Sequence, residues 1–535
     1  MISVQKVLAS GAFPQVGQPT AVDSSAHLVV VGGSLGPPQW NGRDVHSRAK
    51  PKIGWEPVGI YEADTLACRW FLTSRWPVNS IAIHPTEQVI AIGTGCYDGG
   101  YGFEGELLIH DLSRGATRSV LRQSRAIASV AWADVETLEI TMPPPTDEGV
   151  DWPDVPHEAA LLASSDWGAL AERDVDLTGV RTLPVTAPPM LDRDALQARL
   201  GKLALAGGHL PLFRRQAWAL AADLSGVLVG VEGGLERWTQ DGELAWRRSI
   251  PGHVPVQALA MSTERVLVAA WAIGEGSYDA RLTHAAVIDR VSGAIVADVD
   301  PDAQRVAVTT SSGLCLLRDT RIGHSEGPRP ADIIDAEGQR VGEVHLGRYD
   351  MSNHYFAIKG AKELLVLVGA GANHHLDKQV AAVRPTPDGS WAVEKLYPLA
   401  WEPGRHLFGG PGVWLSDDAG EAIVHAGAIH DGSGVLSGNV FLARRSHPLG
   451  TLHWEVRLDN AVTDVELVGG LIIAATNVGE VLQIDARDGR VVSANTLRLD
   501  GWPAVPLSLA AAGDGRVWAS TLDGRAALID LQPDV

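Results

Sequence analysis

Cysteine is scarce in this chain of 535 residues, which contains only Cys68, Cys96 and Cys315. An odd number of widely spaced thiols excludes a disulfide framework and a CxxC metal pair. Long apolar runs are missing as well, since no stretch approaches the roughly 20 residues that cross a bilayer. The start, MISVQKVLASGAF, lacks the basic segment and apolar core of a signal peptide. These absences predict a cytoplasmic protein, and the excess of Arg over Lys, with abundant Ala, favours a bacterial source.

Basic charge is also in short supply. The chain has 44 Lys and Arg against 64 Asp and Glu, a formal net charge of -20. Because phosphate neutralisation needs clustered Lys and Arg, this balance argues against direct nucleic-acid binding and suits a basic partner. The generous 58 Gly and 17 Trp favour many short strands joined by tight turns.

A unit of four short strands recurs along the chain. In PVNSIAIHPTEQVIAIGTG (77–95) two apolar strands flank a His-Pro turn, and ELLIHDLSRGATRSVLR (106–122) supplies two more. Such a unit spans about 45 residues, the size of one propeller blade. The last copy (507–532) stops after three strands, and ISVQKVLAS (2–10) is the natural donor of the fourth, which would close the open sheet edges.

The repeat predicts an all-β fold, a single β-propeller over residues 1–535 with about eight four-stranded blades, and seven to ten allowed. Two stacked propellers are the alternative. Two segments interrupt the pattern: an acidic, Pro-rich loop at 136–158, and a short helix at 190–208 that ends in Gly-Gly. The helix either packs on the propeller or docks a partner. First strands are predicted to begin near 21, 79, 128, 217, 256, 304, 354, 411, 462 and 506.

Several of these segments resemble known propeller families. HPTEQVIAIGTG and IHDLSRG are similar to the strand-turn-strand and terminal Trp-Asp segments of WD40 repeats, whereas IDARDGRVV and WTQDGELAW resemble quinoprotein-type blades. The resemblance covers nearly the whole chain. It implies the fold and implies no activity.

Five connections between the second and third strands of a unit are longer than the two to five residues of ordinary hairpins. They are predicted to crowd one face, and they carry aromatic, His, Arg and Asp side chains, which are frequent at binding surfaces. The predicted binding residues are Trp40, Arg43, Trp55, Tyr97, Asp98, Tyr101, Phe103, Tyr278, Asp279, His374, His375, His430 and Asp431. The open alternative is that these loops merely pack on one another.

The sequence gives less support to a nucleotide-binding, metal or catalytic site. The glycines of GTGCYDGGYGFEGELLIHD (93–111) lie between two strands, whereas a dinucleotide loop opens a helix; we expect flexible joints of an overlong hairpin. A metal site would have to gather His284, His374 and His430 from separate loops, with Asp98 or Asp431 as the carboxylate. No G-x-S-x-G nucleophile elbow occurs, and no cofactor is predicted.

The sequence therefore predicts a non-catalytic scaffold that binds a protein or peptide on its long-loop face. The acidic residues there favour a basic partner, and the partner or the chain itself could belong to a multi-protein complex. The alternative is an enzyme, a hydrolase, lyase or oxygenase, with a metal- or carboxylate-based site at the mouth of the channel.

Overall fold

The structure, a computed structural model, is all-β, with one α-helix among the residues it describes. No helix in this part of the chain has the length and apolar character needed to cross a membrane. The described residues are 2–35, 56–97, 102–144, 156–188, 192–211, 213, 216–231, 234–250, 257–260, 262, 264–273, 280–299, 305–311, 313–319, 330–347, 356–369, 378–399, 406–430 and 435–531.

The chain divides into two compact units. Unit 1 contains residues 1–8 and 216–535, and unit 2 contains residues 9–37 and 54–215. The two ends of unit 2 meet, because Gly11 and Leu210 form a parallel β-bridge. The single-propeller organisation of residues 1–535 stays a prediction.

Unit 2 contains three four-stranded antiparallel sheets and one helix. Strand β1 (Ile2–Leu8) precedes it and belongs to unit 1. Sheet 1 has β2 (Gln18–Ser24), β3 (Leu28–Ser34), β4 (Glu56–Glu62) and β5 (Cys68–Ser74). Sheet 2 has β6 (Val78–Ile83), β7 (Val89–Thr94), β10 (Leu107–Asp111) and β11 (Ala116–Ser119), with a small hairpin of β8 (Cys96–Tyr97) and β9 (Phe103–Glu104). Sheet 3 has β12 (Ser129–Trp132), β13 (Thr137–Met142), β14 (His157–Ala163) and β15 (Thr182–Val185). Helix α1 spans Arg193–Ala206, and short 3-10 turns lie at Pro14–Val16 and Trp167–Ala169.

The sheets of unit 2 pack face to face. Val30 and Ile60 of sheet 1 contact Ile90 and Ile92 of sheet 2 in one apolar cluster. Because the second and third strands are covered on both faces, their sequences are continuous apolar runs, such as VIAIGT in β7.

Helix α1 covers the other face of sheet 1. Leu196, Leu200 and Ala204 are buried against Val31 and Tyr61. The helix begins after Asp192, whose carboxylate accepts hydrogen bonds from the backbone N–H groups of Asp194 and Ala195. The predicted helix is confirmed, and its apolar side is occupied within unit 2.

Unit 1 continues the same pattern through seven sheets. Sheet 4 has β16 (Ala219–Asp223), β17 (Gly226–Val231), β18 (Gly234–Thr239) and β19 (Leu244–Ser249); sheet 5 has β20 (Gln257–Ala260), β21 (Arg265–Ile273), β22 (Ala280–Asp289) and β23 (Ile295–Val299); sheet 6 has β24 (Arg305–Ser311), β25 (Leu314–Asp319), β26 (Ala331–Ile334) and β27 (Arg340–Val344). Sheet 7 has β29 (Leu364–Gly369), β30 (Lys378–Pro385) and β31 (Trp391–Leu399), preceded by β28 (Ala357–Lys359); sheet 8 has β32 (His406–Asp417), β33 (Gly420–His430), β34 (Val435–Ser446) and β35 (Leu452–Leu458), and β28 pairs with β32 in parallel. Sheet 9 has β36 (Val462–Val468), β37 (Leu471–Thr476), β38 (Glu480–Asp485) and β39 (Val491–Thr496). A small hairpin of β40 (Arg498–Leu499) and β41 (Trp502–Pro503) follows. Sheet 10 has β42 (Pro506–Gly513), β43 (Arg516–Thr521), β44 (Ala526–Leu531) and β1.

The first strands of sheets 4, 5, 6, 8, 9 and 10, together with β28, contact one another in a closed cycle. Each of β16, β20, β24, β28, β32, β36 and β42 contacts the next, and β42 contacts β16. Strand β1 completes sheet 10 by pairing with β44 from Ile2↔Leu531 to Leu8↔Ala526. The prediction that an N-terminal strand completes the last sheet is therefore confirmed.

A turn glycine under an aromatic ring links four pairs of neighbouring sheets. The glycine lies in the turn between the third and fourth strands of one sheet, and the ring lies in the fourth strand of the preceding sheet. The indoles of Trp246 and Trp454 also donate hydrogen bonds to the carbonyls of Val291 (2.8 Å) and Ala486 (3.0 Å) in such turns. The pairs are Trp70 with Gly115, Trp246 with Gly293, Tyr397 with Gly450, and Trp454 with Gly489.

We expect Gly489→Ala to destabilise unit 1 more than Gly501→Ala. Both glycines have positive φ, 76° and 83°, so alanine costs about 1–2 kcal/mol at either position. A Cβ on Gly489 would also lie 2.8 Å from the Trp454 ring, whereas a Cβ on Gly501 meets nothing within 4 Å. The crowding lowers the free energy of unfolding of Gly489→Ala by about 1–3 kcal/mol more. Guanidinium unfolding of the two variants measures this difference. Equal losses of stability in the two variants would contradict the contact between Gly489 and the Trp454 ring.

The predicted strand positions agree closely with the structure. Each of the ten predicted first strands is a strand that begins within a few residues of the predicted position. The region 285–345, which the repeat pattern does not divide cleanly, contains the regular sheet 6. The acidic loop predicted at 136–158 is shorter, because Thr137–Met142 forms β13.

Candidate functional site

The long loops connect the strands that the repeat predicted. Long second-to-third connections separate β3 from β4, β7 from β10, β21 from β22 and β29 from β30. The fifth predicted loop is an ordinary hairpin connection instead, because β33 extends to His430 and β34 begins at Val435. Sheets 3 and 6 add two further long connections, after Met142 and after Asp319. The connections of sheets 4, 9 and 10 are short. Within each unit, the long loops therefore extend the same connection of successive sheets.

Two of the predicted binding residues can be placed in full, Tyr97 and Phe103. His430 takes the last position of β33, opposite His406, and His284 pairs with Ala270 in β22. The other predicted binding residues lie outside the described residues: Trp40, Arg43, Trp55, Asp98, Tyr101, Tyr278, Asp279, His374, His375 and Asp431.

Tyr97 and Phe103 face each other across the small β8–β9 hairpin. They pair in register, and their ring centroids are 5.3 Å apart. The glycines beside them allow close backbone approach: a Cβ on Gly95 would lie 2.6 Å from the Glu104 carbonyl oxygen, and one on Gly105 2.1 Å from that of Thr94. These two glycines are close-packing positions rather than the flexible joints expected from the sequence.

The two aromatic residues border a groove in unit 2, with a volume of about 920 Å³. Tyr97 is 42% exposed, so part of this side chain faces solvent. First strands of all three sheets and the segment before helix α1 contribute to the groove. Its described lining is Thr20, Pro77, Val78, Asn79, Ser80, Gly95, Cys96, Tyr97, Phe103, Ala126, Ala128, Ser129, Pro143, His157, Ala187, Pro188 and Arg193.

β-Bulges in the first strands fix the base of this groove. Asn79 is the extra residue between Val78 and Ser80, and a bulge re-aims the side chain it carries. Its amide donates hydrogen bonds to the carbonyls of Gly95 (2.9 Å) and Ile127 (3.0 Å), which ties sheet 2 to sheet 3. The groove floor is thus held by bonds between sheets.

The sequence did not single out this lining apart from Tyr97 and Phe103. The other residues come from separate strands, and small or apolar residues such as Ala126 and Pro188 carry no chemical signature. The repeat itself was the available signal, since it predicts that first strands lie side by side.

A second cavity of unit 2, of about 700 Å³, is polar. Asp111 in its wall is already engaged: its carboxylate accepts hydrogen bonds from Ser113 Oγ (2.6 Å) and Arg114 Nη1 (2.7 Å). Burial alone would raise its pKa, but these bonds lower the pKa of Asp111 to about 2. The carboxylate therefore stabilises a turn.

Unit 1 contains a buried charge cluster on three first strands. Lys359 Nζ of β28 lies 2.7 Å from Asp464 Oδ2 and 3.3 Å from Glu466 Oε2 of β36. Asp464 Oδ2 also accepts from Ser508 Oγ (2.9 Å) and Leu509 N (2.7 Å) of β42, and Oδ1 from Val465 N (2.9 Å). Because both Asp464 oxygens are occupied by the protein, this cluster joins strand β28 to sheets 9 and 10.

Metal-binding geometry is not seen in the described part of the chain, where no group of three or more His, Cys, Asp or Glu side chains could hold an ion. His374 lies outside it, and only the strand positions of His284 and His430 are known. The metal site predicted as an alternative stays a prediction.

Comparison with known proteins finds no family model and no curated protein that matches this chain. Its function is therefore inferred from the arrangement of its own residues.

Proposed function

We propose that this chain is a non-catalytic binding scaffold whose unit 2 groove holds a segment of a partner protein or a peptide. The observation that carries the proposal is the exposed Tyr97 ring beside Phe103, at the border of a largely apolar groove. Aromatic side chains give large contact area at low entropic cost, and they are enriched among the residues that dominate binding energy.

We also propose that the seven sheets of unit 1 form a seven-bladed propeller of the WD40-like or quinoprotein-like type. The cycle of first-strand contacts and the pairing of β1 with β44 support this arrangement. The three sheets of unit 2 have the same strand order and would be additional blade-like sheets that carry the binding groove.

The proposed compartment is the reducing cytoplasm of a bacterium. Cys68, Cys96 and Cys315 form no disulfide with one another, which suits a compartment where disulfides are rare. The predicted preference for a basic partner rests on Asp98, Asp279 and Asp431, outside the described residues.

The double variant Tyr97→Ala, Phe103→Ala should lose the partner without unfolding. Truncating two aromatic contacts at a binding surface weakens affinity about ten-fold or more, so the partner recovered by the wild-type chain from cells of its source should be depleted. The matched control is Leu161→Ala, Leu183→Ala, because these side chains are 62% and 53% exposed on sheet 3 outside the groove lining. Quantitative mass spectrometry measures the amount of partner that each variant recovers. Equal recovery by both double variants would contradict the proposal.

A further inference from the structure

The charge of the groove differs from that of the chain. The chain carries a net charge of -20, yet the described groove lining contains Arg193 and His157 and no Asp or Glu. A binding surface selects a partner of complementary potential. The described lining of the groove and the chain as a whole therefore favour partners of opposite charge.

Arg193 is the cation available to a ligand. It is exposed at the first position of helix α1, and no carboxylate in the described part of the chain lies within ion-pair distance of it. The nearby Asp192 carboxylate is engaged, since it accepts hydrogen bonds from Asp194 N (3.0 Å) and Ala195 N (3.1 Å). An acidic group on a ligand could therefore pair with Arg193.

The rest of the groove suits an extended backbone with apolar side chains. Val78, Ala126 and Ala128 offer apolar surface next to the aromatic pair. The Thr20 hydroxyl is buried and has no hydrogen-bond partner among the described residues. Rotation of this side chain towards the groove would let a peptide N–H or C=O pair with the hydroxyl, which removes the cost of a buried unpaired polar group.

We infer that the groove takes an internal, extended peptide segment in which apolar residues flank an acidic side chain, and that this side chain pairs with Arg193. The inference rests on the proposed function and names the chemistry of its partner. It differs from the sequence-based expectation of a basic partner, because Arg193 is the charged side chain of the described lining.

Peptide selection on the full chain tests this pairing. Random linear peptides, displayed at the N-terminus of a phage coat protein and therefore without a free carboxyl terminus, are selected on wild type and on Arg193→Glu. Wild type should enrich Asp or Glu beside apolar residues. Arg193→Glu should bind those peptides about ten-fold more weakly, because like charges then face each other, and should itself enrich Lys or Arg.

The control is Lys202→Glu, which changes the charge of an exposed residue on the same helix and should leave the selected peptides unchanged. Peptides that depend on Tyr97 and Phe103 but show no acidic preference would overturn the pairing with Arg193 and leave the proposed function intact. Recovery of no peptide that depends on these two aromatics would overturn both.

Discussion

Asp464→Asn is expected to destabilise unit 1 by about 3–5 kcal/mol, the usual cost of breaking a buried ion pair by removing one partner. The carboxylate is fully buried and pairs with Lys359. It also accepts hydrogen bonds from Ser508 Oγ, Leu509 N and Val465 N. An amide at this position removes the charge, and the hydrogens of its nitrogen point at groups that are themselves hydrogen-bond donors. Strands β28, β36 and β42 then lose their common anchor.

Guanidinium unfolding followed by tryptophan fluorescence measures the loss. The control is Asp514→Asn, which removes a carboxylate that is 90% exposed and lies 3.4 Å from Arg516. Exposed pairs contribute little, so this variant should unfold like wild type. If the two variants unfold at the same denaturant concentration, the buried cluster is not an anchor.

Glu466→Gln separates the roles of the two carboxylates. Burial raises the pKa of Glu466, although Lys359 opposes the shift. A carboxyl whose pKa is raised in the folded state stabilises the protein below its unfolded pKa, near 4.5, and this contribution is lost as the pH rises through the folded pKa. Wild type should therefore lose stability relative to Glu466→Gln as the pH rises from 4.5 towards neutrality.

Removal of strand β1 is expected to cost roughly 4–8 kcal/mol, because Ile2, Val4, Val7 and Leu8 lose most of their apolar burial. Sheet 10 would then expose the edge of β44, and an unpaired edge promotes aggregation. Deletion of residues 2–8 should give a chain that aggregates, and a synthetic peptide of the same residues should reduce this aggregation in part.

Point variants in β1 test the same closure without deletion. Val4 packs on the cluster shared by sheets 9 and 10, whereas the neighbouring Gln5 is exposed at a bulge. We expect Val4→Asp to lower the thermal midpoint strongly, since it places a charge against apolar side chains, and Gln5→Asp to change it little. Equal midpoints would mean that β1 does not close the sheet.

The repeating elements were predictable from the sequence because each strand carries its own signal. Ile2–Leu8, helix α1 and the ten first strands follow from local apolar periodicity and turn residues. The glycine-on-aromatic contacts were not predicted, since Trp246 and Gly293 belong to different sheets and neither sequence context reveals the other.

The groove was predictable only in part. Tyr97 and Phe103 stood out as aromatics in a long loop, but Thr20, Asn79 and Arg193 share no local pattern. The sequence does not reveal the bulge that turns the Asn79 amide towards sheet 3. The charge of a site formed by separate strands cannot be read from the net charge of the chain.

Site-specific photo-crosslinking in cells of the source organism tests the binding groove most directly. A benzophenone amino acid at position 97 should give a discrete covalent adduct with another polypeptide, whereas the same group at Leu161, which is more exposed than Tyr97, should not. The adduct should disappear when Phe103→Ala is added. No adduct from position 97, or equal adducts from positions 97 and 161, would contradict a partner-binding groove.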